Sequence, residues 1–294
     1  MDKKIKILIT GCNGQLGKEI QLVAMRYPCY LFNFKNKSDL DISDMSSVKK
    51  TIQDNKPDFI INCAAYTAVD KAESQYEIAE AVNHLAVNNL VNICSQLSIG
   101  LIHISTDYVF DGLASRPYKE NDSTSPQSVY GSTKLKGEEV LMESNLKNSL
   151  IIRTSWVYSR YENNFFSKIL ELTSRKNSLD IVSDQIGSPT YTKDLAVMLL
   201  MIIEKLDLAY PDIFHYSSTG QVSWFDFANE IVRLSGNQCL LNPINTDNYP
   251  TAAKRPKFSV LDNTKIKKKF NIEIPNWKES LYNCFLNKEK DKNA

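Results

Sequence analysis

The chain has 294 residues, 43% apolar and 23% charged, enough for one large domain or two unequal ones with a sizeable core. Lys plus Arg (35) nearly cancels Asp plus Glu (34), so no nucleic-acid partner is expected. The longest apolar stretch, 195–203, is too short to span a bilayer, and the first residues lack a signal-peptide core, so no membrane partner is expected and a cytoplasmic location is.

In chain order, the first half alternates short β-branched runs at 5–10, 30–34, 59–63, 101–105 and 150–154 with longer amphipathic stretches at 15–25, 46–54, 76–97 and 129–143. That alternation is the βαβ signature of a parallel sheet. A Ser-, Pro-, Asp- and Asn-rich segment at 111–127 reads as a surface loop. The second half is less regular, with helical patterns at 164–174, 192–206, 224–234 and 277–286. The expected fold is α/β, a Rossmann-like doubly wound parallel sheet with a smaller α+β region. Residues 1–155 form the dinucleotide-binding domain, about 185–235 return to it, and 156–184 with 236–294 make the smaller region.

Gly11, Gly14 and Gly17 follow the first strand and open a helix. Glycine permits the tight turn and the close backbone approach to a pyrophosphate, whose charge then faces the helix N-terminus. The loop between them supplies Asn13, Gln15 and Leu16 as further candidate cofactor contacts. Tyr130 and Lys134, four apart, share one face of the 129–143 helix. An ammonium beside a phenol favours phenolate and draws its pKa of about 10 toward neutrality. Such a phenol exchanges protons at physiological pH, and with a dinucleotide alongside it suits hydride chemistry on a carbonyl or alcohol. Cys12, Cys29, Cys63, Cys94, Cys239 and Cys284 form no C-x-x-C pair, and His84, His103 and His215 lack ligand spacing, so no metal site is expected.

The glycine spacing with Y-x-x-x-K resembles the extended short-chain dehydrogenase/reductase superfamily. Further runs narrow the likeness: Asn62-Cys63-Ala64-Ala65-Tyr66-Thr67-Ala68-Val69-Asp70-Lys71-Ala72-Glu73, Ser105-Thr106-Asp107-Tyr108-Val109-Phe110, Arg153-Thr154-Ser155-Trp156-Val157-Tyr158, Asp184-Gln185-Ile186-Gly187-Ser188-Pro189-Thr190, and Arg255-Pro256. Together they closely resemble the dTDP-4-dehydrorhamnose reductase family, from about residue 5 to 286. The resemblance implies a nucleotide-sugar substrate and a substrate-binding role for the smaller region. It also implies that Thr106 bonds the reacting sugar oxygen, Tyr130 donates the proton, and Lys134 orients the nicotinamide ribose. Asp107, Trp156 and Arg255 would contact substrate, Arg255 as a clamp on the diphosphate. Ala64, Ala65 and Thr67 would line the cofactor groove, with Asp41 and Ile42 near adenine.

Dinucleotide folds often carry an acid near the end of the second strand to bind the adenosine ribose. Here Lys35 and Lys37 stand in that region, which favours NADPH while leaving NADH possible. Some family members join subunits through magnesium held by carboxylates. Glu19 matches one such position, but the acids expected near Lys193, Asp194 and Asn287 are displaced or absent, so magnesium is doubtful and the chain is expected as a monomer or homodimer. Two rival readings remain: a nucleotide-sugar epimerase or dehydratase, disfavoured because Tyr108 follows Asp107, and a non-catalytic NADP-binding regulatory subunit of the methionine adenosyltransferase type.

Overall fold

The computed structural model describes residues 4–161 and 163–292, the last four of these by backbone alone. In chain order the elements are β1 (Ile5–Thr10), α1 (Gln15–Ala24), β2 (Tyr30–Lys35), α2 (Met45–Asn55), β3 (Phe59–Asn62), α3 (Val69–Ala72), α4 (Tyr76–Glu80), α5 (Ala86–Leu97), β4 (Gly100–Thr106), α6 (Val129–Met142), β5 (Leu150–Thr154) and β6 (Val157–Tyr158). They continue with α7 (Phe165–Thr173), β7 (Ser178–Val182), β8 (Ile186–Gly187), β9 (Thr190–Tyr191), α8 (Thr192–Ile203), β10 (Asp212–His215), β11 (Val222–Ser223), α9 (Trp224–Ser235), β12 (Leu240–Ile244), α10 (Thr264–Phe270) and α11 (Trp277–Lys292).

Six parallel strands form the central sheet in the order β10-β5-β4-β3-β1-β2. Its strands are apolar on both faces, as a sheet covered on both sides requires. Ile7 and Ile9 point into a cluster with α1, α8 and α10, while Leu8 between them joins a second cluster with α2, α5 and α6. The same alternation recurs in β5, with Leu150 and Ile152 on one side and Ile151 on the other. This period of two fixes register, since a one-residue slip would exchange the faces. The chain order reverses between β1 and β3, where open α/β sheets bind ligands outside their carboxyl ends.

The smaller region has its own cluster, built on Tyr158, Phe166, Tyr191, Phe227, Trp277 and Leu281. Its strands pair two by two: β7 with β12, β6 with β9, and β8 with β11. The expected return segment 185–235 divides: α8 and β10 join the large sheet layer, whereas α9 packs in the smaller cluster through Phe227, Ala228 and Ile231. The sixth strand, β10, has no counterpart among the predicted strands. Its two apolar residues, Ile213 and Phe214, stand between Asp212 and His215 and do not make the β-branched run that marks the others.

The expected single helix over 76–97 is interrupted by a π turn, Ala81–Leu85. The wider turn carries Asn83, which is buried and bonds both the N–H and the C=O of Tyr66, at 2.9 and 3.1 Å. Its amide also donates to Thr133 on α6, 3.2 Å away. A single residue thus ties the loop after β3 to α6.

Beneath the sheet's carboxyl edge, Glu138 of α6 and Arg153 of β5 form a buried ion pair, Nη2 to Oε2 2.7 Å. Ser105 of β4 donates to the same carboxylate. Removing one partner of such a pair leaves an uncompensated buried charge. Arg153→Met is expected to lower unfolding free energy by about 3–5 kcal/mol, read by urea denaturation.

Candidate active site

Two cavities open along the carboxyl edge, of about 440 and 650 Å³, and share Gly14, Cys63 and Ala65 in their walls. The larger lies on the β2 side and is walled by Gly11, Asn13, Lys37, Asp41, Ile42 and Ala64. Gly11 has φ +61°, and a Cβ there would lie 2.7 Å from the backbone nitrogen of Ala64, so no other side chain fits. The N-terminus of α1 begins at Gly14 without a side-chain cap, leaving its first-turn N–H groups for an anion. This groove fits a dinucleotide, with pyrophosphate at α1 and adenosine toward β2.

Not every expected cofactor contact lines it. Lys37 does; Lys35, the last residue of β2, does not. Its carbonyl accepts from the Cys12 N–H, and its charge acts on the Cys12 thiol. Beyond Lys35 the chain turns at Asn36, whose side-chain oxygen accepts from the N–H groups of Ser38 and Asp39, and that turn carries Lys37 to the cavity. Asp41 accepts from the N–H and hydroxyl of Ser43, which with the nearby Lys37 keeps its carboxyl below the usual range.

The smaller cavity gathers Gln15, Leu16, Gly17, Thr67, Thr106, Asp107, Tyr130, Lys134 and Trp156. Thr106 ends β4, and Tyr130 enters in the first turn of α6, whose cap Ser128 accepts from the Gly131 N–H. A Cβ at Gly131 would lie 2.2 Å from the carbonyl oxygen of Tyr108, so only glycine lets α6 press against the turn after β4. That contact brings Tyr130 to Thr106. The Thr106 hydroxyl donates to Asp107 Oδ1 at 3.0 Å, and Asp107 Oδ2 has no hydrogen-bond partner among the described residues. Burial pushes the Asp107 carboxyl up to about 6, against its bonds to Ser259 and Thr106.

The lysine–phenol coupling expected from the sequence takes a different form. Burial raises the Tyr130 phenol well above its ordinary value, opposed by its bond with Thr106 and reinforced by Asp107 and Tyr108. Lys134 turns inward, donating to the Ile104 carbonyl at 2.6 Å and lying 3.2 Å from His103 Nε2. Burial lowers it to about 8, against the pull of Glu138. Helical spacing put the two side chains on one face, but the buried carbonyl and imidazole hold the amine beneath the cavity.

Trp156 lines the cavity with a left-handed φ of 47°, its ring stacked on Trp224 with centroids 3.5 Å apart. Trp224, first residue of α9, gave no signal in sequence beyond being aromatic. Arg255 does not line either cavity. It is paired with Asp70 at 2.6 Å and donates to the Tyr108 hydroxyl at 3.3 Å. The remaining residues missed by sequence reasoning are Thr10, Asn62 and His103, buried on three adjacent strands.

Among the described residues the carboxylates expected to hold magnesium are not brought together. Glu19 is fully buried with Arg160 Nε 4.0 Å from its carboxylate, and its charge acts on Lys193. Asp194 instead accepts from Ser280. Among the described residues no group of three His, Cys, Asp or Glu side chains could hold a metal ion, and none of the helices is long and apolar enough to cross a membrane.

A dinucleotide cradle joined to a Thr–Tyr–Lys set at the neighbouring strand end defines the class, a dinucleotide-dependent oxidoreductase of Rossmann type. The chain belongs to the RmlD substrate binding domain family, matched over residues 5–289. It is 40% identical to the dTDP-4-dehydrorhamnose reductase of Aggregatibacter actinomycetemcomitans over 290 residues, 95% of this chain and 97% of that one. The solved dTDP-4-dehydrorhamnose reductase of Clostridium acetobutylicum superposes with TM-score 0.91 at 41% identity, over 96% of this chain and 98% of that one. That of Bacillus anthracis, in complex with NADP, superposes with TM-score 0.92 at 35% identity, over 97% and 100%.

Two outcomes are expected. Lys37→Glu should erode any preference for NADPH over NADH several-fold, an exposed charge contact contributing about 0.2–1 kcal/mol and its reversal somewhat more, while Lys35→Glu leaves the preference unchanged; catalytic efficiency with each cofactor reads both. EDTA should leave turnover and dinucleotide affinity unchanged, and restoration of lost activity by magnesium would refute the absence of a metal role.

Proposed function

We propose that this chain is a cytoplasmic NADPH-dependent reductase of a 4-keto-6-deoxy nucleotide sugar, converting dTDP-4-dehydro-L-rhamnose to dTDP-L-rhamnose. The observation that carries the reading is the meeting of Thr106, Tyr130 and Lys134 in one cavity that continues into the dinucleotide groove. The similarity to named reductases along nearly the whole chain supports the substrate.

When bound, the reduced nicotinamide supplies the hydride that the sugar's carbonyl carbon takes up. Tyr130 gives its proton to the carbonyl oxygen; its burial keeps the phenol protonated until that moment. Thr106, whose hydroxyl donates to Asp107, turns it to the same oxygen and polarises the carbonyl. Lys134 holds the ribose from below. The stacked Trp156 and Trp224 offer an apolar wall to sugar or base. Arg255 reaches the diphosphate by exchanging Asp70 for it, one anion for another.

Loss of water from the sugar is a poor fit. Asp107 is the only carboxylate among the described residues lining the smaller cavity, one short of the acid–base pair a dehydratase needs. Next to it stands the Tyr108 phenol, pushed up to about 12 by burial.

Incubation with NADPH and dTDP-4-dehydro-L-rhamnose should consume reduced cofactor and yield dTDP-L-rhamnose. NADP binding with no turnover would instead indicate a regulatory subunit. Tyr130→Phe should keep cofactor binding but slow turnover by roughly 100-fold or more. Near-normal turnover in that variant would remove Tyr130 from the chemistry.

A further inference from the structure

A fully buried chain of polar groups runs beneath the cavity from β1 to α6. The Ala64 N–H donates to Thr10 Oγ1 at 3.3 Å, and Thr10 Oγ1 lies 2.6 Å from Asn62 Oδ1. Asn62 Nδ2 lies 3.1 Å from His103 Nδ1, and His103 Nε2 lies 3.2 Å from Lys134 Nζ. The direction of each bond follows from donor and acceptor inventory. The Thr10 hydroxyl has one proton and, among the described residues, one acceptor, Asn62 Oδ1. The Asn62 amide is therefore oriented with its NH₂ toward His103. An NH₂ only donates, so His103 Nδ1 carries the lone pair and, in the neutral ring, Nε2 carries the hydrogen. That N–H points at Lys134. An ammonium has no lone pair with which to receive it; an amine has one, and still donates to the Ile104 carbonyl.

We propose that His103, its tautomer fixed by Asn62, is a positioning residue that turns an N–H toward Lys134 and so disfavours its ammonium form. The consequence for catalysis rests on the reductase reading above; the tautomer does not. Burial agrees with the geometry: it drives the His103 imidazole well below its ordinary range and brings Lys134 down to about 8. The charged and titratable groups around Lys134 are few. Glu138 on α6 favours the ammonium but is itself occupied by Arg153 of β5 and Ser105 of β4. Tyr130 on α6, Cys63 after β3 and Asp107 after β4 line the same cavity. With the ammonium disfavoured, its pull on the Tyr130 phenol is weakened, and the phenol is kept in the form that can give a proton.

The test reads protonation directly, without substrate. With three histidines in the chain, imidazole nitrogen NMR of the free protein should show His103 as the Nε2–H tautomer near neutral pH, assigned by loss of its signals in His103→Phe. Lysine side-chain carbon NMR should show Lys134 titrating well below the exposed lysines. In His103→Phe, where the opposing N–H is gone, that midpoint should move up. An Nδ1–H tautomer in the native protein, or a midpoint that falls or stays fixed in His103→Phe, would overturn the proposal, because the imidazole would then be accepting from an ammonium or be indifferent to it. If His103→Phe does not fold, the native tautomer, assigned by Asn62→Leu perturbation of its signals, decides alone. Absence of turnover in the native protein, with these signals as expected, would instead count against the reductase reading.

Discussion

The site depends on how closely α6 can press against the end of β4. At Gly131 the helix meets the Tyr108 carbonyl at a distance that excludes even a methyl group. Two residues further along, Thr133 receives Asn83 from the π turn, and beyond it Glu138 is locked to Arg153 and Ser105. Each of these contacts fixes the same quantity, the height of α6 over the sheet edge. A helix displaced by a side chain's width would still pack apolar against apolar, but Tyr130 and Thr106 would no longer share a cavity. Polar contacts here specify position, while the apolar clusters supply most of the cohesion.

The same closeness sets the electrostatics. Lys134, Asp107 and His103 are buried, Tyr130 is half-buried, and each is moved toward its neutral form. Desolvation outweighs any mutual attraction, because the groups are satisfied by a carbonyl, a hydroxyl and an amide rather than by one another's charge. Groups shifted toward neutrality suit a step that passes a proton from a phenol to an uncharged carbonyl.

Much of the fold was legible because the sheet is regular. The five predicted strands all exist, since β-branched runs between glycine- and proline-marked turns are strong signals. The glycine loop and the Tyr130–Lys134 pair were readable for a related reason, since their spacing fixes the loop or helix face they occupy, whereas Thr106 was reached through the family resemblance. What was not legible depends on tertiary contact. No local pattern distinguishes a helix with a π turn from one without, and four-residue β10 is a strand only because β5 offers it an edge. Lys35 and Lys37 look alike in sequence, yet an Asn36 turn sends only one of them to the cavity. The inward turn of Lys134 required knowing that His103 and the Ile104 carbonyl lie beneath it.

The second wall of the site is assembled from pairings that reach far along the chain. Tyr118 bridges to Leu261, Ile186 to Phe258, Thr219 to Asn276, and β10 closes the sheet beside β5. Such distant contacts carry the largest loop-closure entropy and form late. During synthesis the strands from β1 to β5 can associate as soon as they emerge, whereas the Trp156–Trp224 wall must wait for α9. The dinucleotide groove is lined wholly from residues 11–82, whereas the cavity beside it draws on residues from 14 to 227, so the sugar side of the site depends on much longer-range order than the cofactor side.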